Sequence, residues 1–276
     1  MKFAICNETY QDWAVEDQFR HASETGYDGI EIAPFTLEES AFDISAGRRA
    51  ELRKMAADYG LEITGLHWLL VSPKGLYLTD PDEQVRQKTV EYLQELCRLC
   101  SDLGGKTLVF GSPAQRNVKD GVTFEQAWEF ACDGYRRASE TASERDVYLL
   151  MEALPEPECN FIQTLDDAMR MCDDVDHPNF QMMVDVKSMS AEGKPLDDLI
   201  KGTAERLKYV HANDANLRGP GFGDTDFRVV LSALQDIGYD GYVSVEVFDY
   251  SPDPETIAIE SLKHLKQIQS NLKGNN

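Results

Sequence analysis

The sequence lacks long apolar runs and an apolar leader. None of its apolar stretches approaches the roughly 20 residues that a membrane-spanning helix needs. The N-terminus becomes polar after about six residues, too soon for the apolar part of a secretory signal peptide. We therefore expect a cytoplasmic protein with no membrane partner.

Basic residues and cysteines are also scarce. The chain carries 27 Lys and Arg against 49 Asp and Glu, a net charge of -22, which argues against a nucleic-acid partner because nucleic acids are polyanions. The six cysteines are scattered, and Cys97 and Cys100 form a CxxC with no second such pair. We expect reduced, buried thiols rather than disulfides or a cysteine-rich zinc site.

Glycine is absent where a nucleotide-binding open sheet would need it. The residues after the first apolar run read Cys6-Asn7-Glu8-Thr9-Tyr10, with no glycine-rich phosphate loop. No Pro-, Gly- or Ser-rich linker divides the chain, so we expect one domain spanning residues 1–276.

Short apolar runs alternate with amphipathic stretches along the whole length. The eight runs, each typical of a buried strand, are Phe3–Cys6, Gly29–Ile32, Leu61–Leu66, Thr107–Phe110, Val147–Met151, Phe180–Val184, Leu207–Val210 and Tyr242–Val247. Helical spacing of apolar residues is clearest over Val85–Leu103 and recurs over Leu196–Leu207 and Val229–Ile237. Eight strands joined by helical crossovers in a chain near the typical ~250 residues predict an α/β fold, a single-domain (β/α)8 TIM barrel.

Metal-ligating residue types follow four consecutive predicted strands. They are Glu152, Asp185, His211 and Glu246. The C-terminal ends of barrel strands form the active site in this fold. A lone carboxylate there is commonly a helix cap or an ion-pair partner, and a lone histidine is commonly structural. Three carboxylates side by side repel one another and attract a divalent cation, so the set of four favours a metal site.

The chemistry of this set restricts the metal. Three oxygen donors and one imidazole nitrogen, with no thiolate, favour Mn²⁺, with Mg²⁺, Co²⁺ or Zn²⁺ as alternatives. Four protein ligands leave coordination positions open for two substrate oxygens. The sequence therefore predicts one divalent metal ion as cofactor.

Further residues near the strand ends are candidates for a substrate pocket. They are Glu8, Glu31, His67 and Trp68. Trp68 is placed to line the pocket or to belong to the core. Lys187 and Arg218 add positive charge near an acidic mouth, either as ordinary surface charges or as a grip on a substrate oxygen, carboxylate or phosphate.

Taken in order, these segments resemble the xylose isomerase-like TIM-barrel superfamily of sugar (phosphate) isomerases and epimerases and endonuclease IV-type proteins. The resemblance covers essentially the whole chain. It is carried by MEAL at Glu152, HPNFQMMVDV containing Asp185, YVHANDANLRGPGFGDTDF containing His211, and GYDGYVSVEVF containing Glu246. Within the superfamily, the chain looks most like the ketose 3-epimerases and the hydroxypyruvate isomerase-like proteins.

The resemblance implies a metal-dependent isomerase acting on a small ketose or keto-sugar derivative. The reaction would remove a proton next to a carbonyl through a metal-stabilised enediolate. Glu152, Asp185, His211 and Glu246 match the family's metal ligands, and Glu152 and Glu246 match its acid/base pair. Glu158, Arg218 and His67 match substrate-binding positions, and Lys187, Ser188 and Trp68 complete the predicted substrate site.

Two departures separate this chain from members of the superfamily. The family usually has a histidine three residues after the aspartate of the sixth strand, where this chain has Ser188, so Lys187 beside it marks a different substrate. The histidines of the trinuclear endonuclease branch are absent after Phe110 and after Asp224. The first departure argues against an ordinary free-ketose epimerase, and the second, together with the net charge of -22, argues against a DNA-repair function.

Other functions on the same scaffold remain open from sequence. They are a metal-dependent lyase or dehydratase of the inosose-dehydratase type, a non-catalytic sugar binder and, least favoured, an AP endonuclease. The expected partner is a small sugar, and fold analogy suggests a homodimer or homotetramer.

Overall fold

The computed structural model describes residues 1–274, whose strands form one closed parallel barrel in the order β1 to β8, with β8 pairing back to β1. The strands are β1 Lys2–Cys6, β2 Gly29–Ile32, β3 Glu62–Leu66, β4 Thr107–Phe110, β5 Tyr148–Met151, β6 Phe180–Asp185, β7 Leu207–Ala212 and β8 Tyr242–Val245. The helices are α1 Val15–Thr25, α2 Ala46–Asp58, α3 Glu83–Leu103, α4 Phe124–Glu144, α5 Leu165–Val175, α6 Val186–Ser190, α7 Leu196–Gly202, α8 Phe227–Asp236 and α9 Pro254–Gly274. The predicted (β/α)8 TIM barrel is confirmed.

Two apolar layers hold the barrel together. The larger one lies between the strands and the surrounding helices. A separate small cluster of Val109, Leu150, Met183 and Tyr209 lies below the C-terminal mouth of the barrel. The hydroxyl groups of Tyr209 and Thr64 are 2.7 Å apart and hydrogen-bonded. Because side chains alternate across a strand, residues two positions after this cluster point toward the barrel mouth.

Most of the predicted strands and helices differ from the structure by one or two residues at their ends, a normal uncertainty for element boundaries. The helix predicted over Leu196–Leu207 is wrong at its C-terminal end, because α7 ends at Gly202. The hydroxyl of Thr203 then donates to the carbonyl of Ile200, and the backbone turns into β7. Apolar residues continue at helical spacing beyond this turn, so the spacing predicted a helix end at Leu207, too far along the chain.

Local sequence signals set several helix ends. Thr123 caps the N-terminus of α4 and Thr164 that of α5. Each threonine side chain accepts from the backbone N–H three residues on, and the threonine backbone N–H donates to the side chain of that same residue. Gly104 ends α3 in the left-handed conformation, with a φ of 90°, which glycine adopts without strain. These signals determine where each of these helices begins or ends relative to the neighbouring strands.

Two expectations from composition can be compared with the structure. All six cysteines are buried and unpaired, as predicted for reduced thiols. Among the described residues, no helix has the length and apolar character needed to cross a membrane.

Candidate active site

The C-terminal ends of β5 to β8 bring the four predicted metal-ligating residues together. One potential ligand atom from each of Glu152, Asp185, His211 and Glu246 lies within 4.8 Å of those of the other three. All four residues are buried, with exposed fractions of 6%, 2%, 0% and 4%. Residues that are 94 positions apart at the extremes thus form one compact cluster.

Strand geometry explains this convergence. Glu152, Asp185 and His211 each lie two residues after a member of the small interior cluster, so strand alternation directs them to the barrel mouth. A register shift between Met182 and Met183 places Asp185 directly opposite His211. The fold therefore aligns the four side chains at one level.

Asp185 also begins α6. Its Oδ1 accepts from the backbone N–H of Ser188 at 2.7 Å, and its Oδ2 accepts from the side-chain amide of Asn213 at 2.5 Å. The Asn213 amide lies 3.4 Å from Oε2 of Glu246 as well. These bonds hold two of the carboxylates in fixed orientations.

One nitrogen in the cluster has no hydrogen-bond partner among residues 1–274. Nδ1 of His211 is buried and unpaired, although Oε2 of Glu246 lies 3.0 Å away. A buried polar atom without a partner is costly. An unpaired imidazole nitrogen facing three carboxylates is the donor set of a hard to borderline divalent cation, so these residues fit such an ion.

Burial and mutual repulsion change the pKa values in the cluster. Burial, together with the nearby carboxylates of Asp185 and Glu246, raises the pKa of Glu152 to about 8. Burial also raises the pKa of Asp185. Burial opposes ionisation of Glu246 as well, but the adjacent His211 outweighs it and lowers the pKa of Glu246. The three carboxyl groups therefore have unequal pKa values, and a bound divalent cation would favour the ionised form of all three.

A cavity of about 160 Å³ opens onto the cluster. Its walls include His67, Trp68, Glu152, Glu158, His211, Glu246 and Phe248. Trp68 lies between two other aromatic rings, 6.2 Å from Phe35 and 6.3 Å from Phe248 between ring centroids. The backbone of Trp68 has a φ of 53°, and non-glycine residues held in this left-handed backbone conformation cluster at functional sites.

His67 and Lys187, both predicted to bind substrate, are each paired with an acid, His67 with the buried Glu8 and Lys187 with the exposed Glu158. His67 Nε2 is 2.6 Å from Oε2 of Glu8. Lys187 Nζ donates to both carboxylate oxygens of Glu158, at 2.7 and 2.9 Å, and lies 4.5 Å from the centre of the Phe248 ring. Glu158 is thus held at the cavity wall by a buried cation.

Two other predicted substrate residues lie outside the cavity wall. The hydroxyl of Ser188 is buried and has no hydrogen-bond partner within the described part of the chain. The guanidinium of Arg218 donates to the carbonyl of Ser251 at 2.8 and 3.2 Å and stacks on Phe222. Roles in substrate binding for Ser188 and Arg218 stay predictions.

Two residues that support the site were not predicted from the sequence. Asn213 ties Asp185 to Glu246, and its only signal is its place two residues after His211. Arg116 is fully buried, and its guanidinium donates to the carbonyls of Phe110, Glu152 and Ile162. Arg116 lies in a loop without regular spacing, so nothing in the pattern indicated its position.

Comparison with known proteins identifies the family. The model of the xylose isomerase-like TIM barrel family matches residues 19–268, and the chain belongs to this family. The predicted resemblance is thereby confirmed.

Individual relatives are epimerases. Fructoselysine 3-epimerase of Escherichia coli O157:H7 is 24% identical over 276 residues, covering 97% of this chain and 98% of that protein. L-ribulose 3-epimerase of Mesorhizobium japonicum is 26% identical, covering 95% and 83%. The crystal structure of D-psicose 3-epimerase from Clostridium cellulolyticum H10 with D-tagatose superposes with a TM-score of 0.86 at 21% identity, covering 97% of this chain and 99% of that chain. The predicted enzyme class, an isomerase of the sugar epimerase type, is confirmed by these relatives.

Proposed function

We propose that this chain is a divalent-metal-dependent epimerase of a small, uncharged ketose or ketose derivative. The observation that carries the proposal is the convergence of four buried ligand atoms within 4.8 Å of one another, beside a cavity of about 160 Å³ that three of the four residues, Glu152, His211 and Glu246, line. A cavity of this size suits a small molecule rather than a polymer. The names of the curated relatives support a ketose as the substrate.

The metal would be held by Glu152, Asp185, His211 and Glu246. A divalent cation there supplies Lewis acidity, which polarises a substrate carbonyl and makes the neighbouring C–H bond more acidic. The unpaired Nδ1 of His211 and the three carboxylates support this assignment. The identity of the ion is proposed as Mn²⁺ from the mixed oxygen and nitrogen donor set.

Glu152 and Glu246 are proposed as the two proton-transfer groups. They come from β5 and β8, on different sides of the cluster, and both line the cavity. One carboxylate takes the proton from the substrate carbon and the other returns a proton to the opposite face. Because epimerisation runs in both directions, each glutamate serves as base in one direction and as acid in the other.

The charges at the cavity wall favour a neutral sugar. Among the described residues that line the cavity there is no lysine and no arginine. The buried cation Lys187 has a side chain that is 7% exposed and already binds both oxygens of Glu158. We propose that Lys187 fixes Glu158 to accept substrate hydroxyl groups, and that a phosphate group finds no free positive partner in the cavity.

The remaining walls of the cavity suit the C–H groups and hydroxyl groups of a sugar. Trp68 presents an indole ring to the cavity, and aromatic faces pack well on sugar C–H groups. His67, held by Glu8, offers a polar edge for a hydroxyl group.

Deuterium exchange tests the proposed function. In D₂O with Mn²⁺ and a panel of free and substituted ketoses, we expect the protein to place deuterium on the epimerised carbon of at least one substrate, detected by NMR. Glu246→Gln should lower this rate by about 10²- to 10⁴-fold, the usual contribution of a general base. The control Glu62→Gln changes an exposed glutamate at the start of β3 and should leave the rate unchanged.

Two results would contradict the proposal. Full exchange in the Glu246→Gln protein would remove Glu246 from the proton transfer. Loss of a water molecule from the substrate, seen by mass spectrometry, would indicate the dehydratase alternative instead.

A further inference from the structure

Glu31 is a completely buried acid inside strand β2. Its exposed fraction is 0%, and its neighbours in the strand, Ile30 and Ile32, are apolar and buried. Burying an ionised carboxylate is expensive unless it is paired and hydrogen-bonded. The partners of Glu31 therefore indicate why an acid occupies this position.

The principal partner of Glu31 is the predicted metal ligand His211. Nε2 of His211 lies 3.2 Å from Oε1 and 3.1 Å from Oε2 of Glu31. The two residues come from β2 and β7, which are not neighbours in the barrel, so this contact crosses the interior between nonadjacent strands. The thiol of Cys6 donates to Oε2 of Glu31 at 3.3 Å, and Nδ1 of His67 lies 3.7 Å from Oε1.

This contact decides which imidazole nitrogen faces the carboxylate cluster. With Nε2 donating its hydrogen to Glu31, Nδ1 of His211 is directed to the other side, where Oε2 of Glu246 lies 3.0 Å away without a hydrogen bond. A histidine ligand usually donates its second N–H to a carboxylate or carbonyl, which fixes its tautomer and ring orientation.

We propose that Glu31 is a positioning residue that holds Nε2–H of His211 and thereby presents Nδ1 to the divalent cation. This inference rests on the proposed function, because it requires a cation at the four-residue cluster. Glu31 itself touches neither the cation nor the substrate. It acts through the orientation of His211.

The test compares cation affinity with stability in three variants. Glu31→Gln keeps one carbonyl acceptor for Nε2–H, whereas Glu31→Leu keeps none at similar volume. Glu8→Leu is the matched control, since Glu8 is also buried, 5% exposed, and hydrogen-bonded to a histidine, but that histidine is His67 and not a predicted ligand. Calorimetric titration of each purified full-length protein with Mn²⁺ gives Kd, and melting of the metal-free form in EDTA gives Tm.

We expect Kd for Mn²⁺ to rise by about 10- to 100-fold in Glu31→Leu, and by a smaller factor in Glu31→Gln. Glu8→Leu should stay within about threefold of the unchanged protein, since the expected loss depends on the ligand histidine. If Glu31→Leu does not fold, the comparison of Glu31→Gln with Glu8→Gln decides the question.

Two results would overturn the inference. Unchanged Kd in both Glu31 variants, with a lowered Tm of the metal-free form, would show that Glu31 only holds the barrel together. Equal losses of Mn²⁺ affinity in the Glu31 and Glu8 variants would show a general effect of buried charge. Absence of Mn²⁺ binding by the unchanged protein would instead contradict the proposed metal site itself.

Discussion

Glu152 has little room at the end of β5. A Cβ atom on Gly111, which follows β4, would lie 2.4 Å from Oε2 of Glu152, closer than real Cβ contacts allow. The positively charged guanidinium of Arg116 holds the backbone carbonyl of Glu152 at 2.8 Å from the other side. Glycine at position 111 therefore permits the orientation in which Glu152 joins the cluster.

Replacing Gly111 with alanine should disturb this orientation. We expect Gly111→Ala to weaken Mn²⁺ binding at least ~10-fold, the loss typical of a disturbed metal-site geometry, measured by titration calorimetry. Gly202→Ala is the control, because no atom lies within 4 Å of the added Cβ there. Equal affinity in both variants would mean that Glu152 does not ligate the ion in this position.

The raised pKa of Glu152 predicts how metal-free stability depends on pH. Burial and the neighbouring carboxylates raise the pKa to about 8 from 4.5, so the folded protein binds more protons than the unfolded chain between these values. The free energy of unfolding should therefore fall as pH rises through this window, by at most ~1.4 kcal/mol per pH unit for one proton. Above pH 6.5, the raised pKa values of His67 and His211 act in the same direction.

Urea unfolding in EDTA at pH 5 and pH 8 measures this slope. Glu152→Gln should make the slope shallower, because the glutamine has no proton to lose. A slope that is unchanged by this substitution would contradict the assignment of the raised pKa to Glu152.

At the scale of elements, the loop after β4 ties two strands together. Arg116 donates to the carbonyls of Phe110 at the end of β4, Glu152 after β5, and Ile162 before α5. Without the guanidinium, the carbonyls of Phe110 and Ile162 would each keep one backbone N–H donor, from Glu152 and Leu154, whereas the buried carbonyl of Glu152 would lose this partner. Arg116 thus fixes the backbone from which Glu152 projects.

Arg116→Leu should lower the free energy of unfolding by about 3 kcal/mol, since an unpaired buried carbonyl costs roughly 1–3 kcal/mol and two further hydrogen bonds from a charged donor are lost. Arg136→Leu is the matched control, because exposed Arg136 also donates to carbonyls, those of Asp174 and Val175, at a site that water reaches. Urea unfolding of both variants gives the comparison. A loss in Arg116→Leu no larger than in Arg136→Leu would contradict the role of Arg116 as a strand tie.

The elements themselves were largely predictable, whereas contacts between distant ones were not. The strand runs and the residues after them placed Glu152, Asp185, His211 and Glu246 at one end of a barrel, because strand alternation and barrel closure are local and topological rules. Contacts across the interior, such as Glu31 with His211, depend on strands 180 residues apart. The sequence signal for this contact was a charged residue, Glu31, inside the apolar run of β2.

At the scale of the whole molecule, a bound cation should stabilise the fold. Its proposed ligands lie in or directly after four strands, so an ion that binds only the folded chain would add about 2.7 kcal/mol to the free energy of unfolding at 100 times Kd. We expect Mn²⁺ to raise the Tm of the intact protein in a concentration-dependent way. The same Mn²⁺ should raise Tm much less in Asp185→Ala, and an equal rise in both would contradict the assigned site.

The proposed function requires one divalent ion at the C-terminal mouth of the barrel. The most direct measurement is anomalous diffraction, at the manganese edge, from crystals of the full chain grown with Mn²⁺. We expect one strong anomalous peak per chain, within about 2.0–2.3 Å of an atom of each of Glu152, Asp185, His211 and Glu246. A peak held by other residues, or no peak at saturating Mn²⁺, would contradict the proposed metal site.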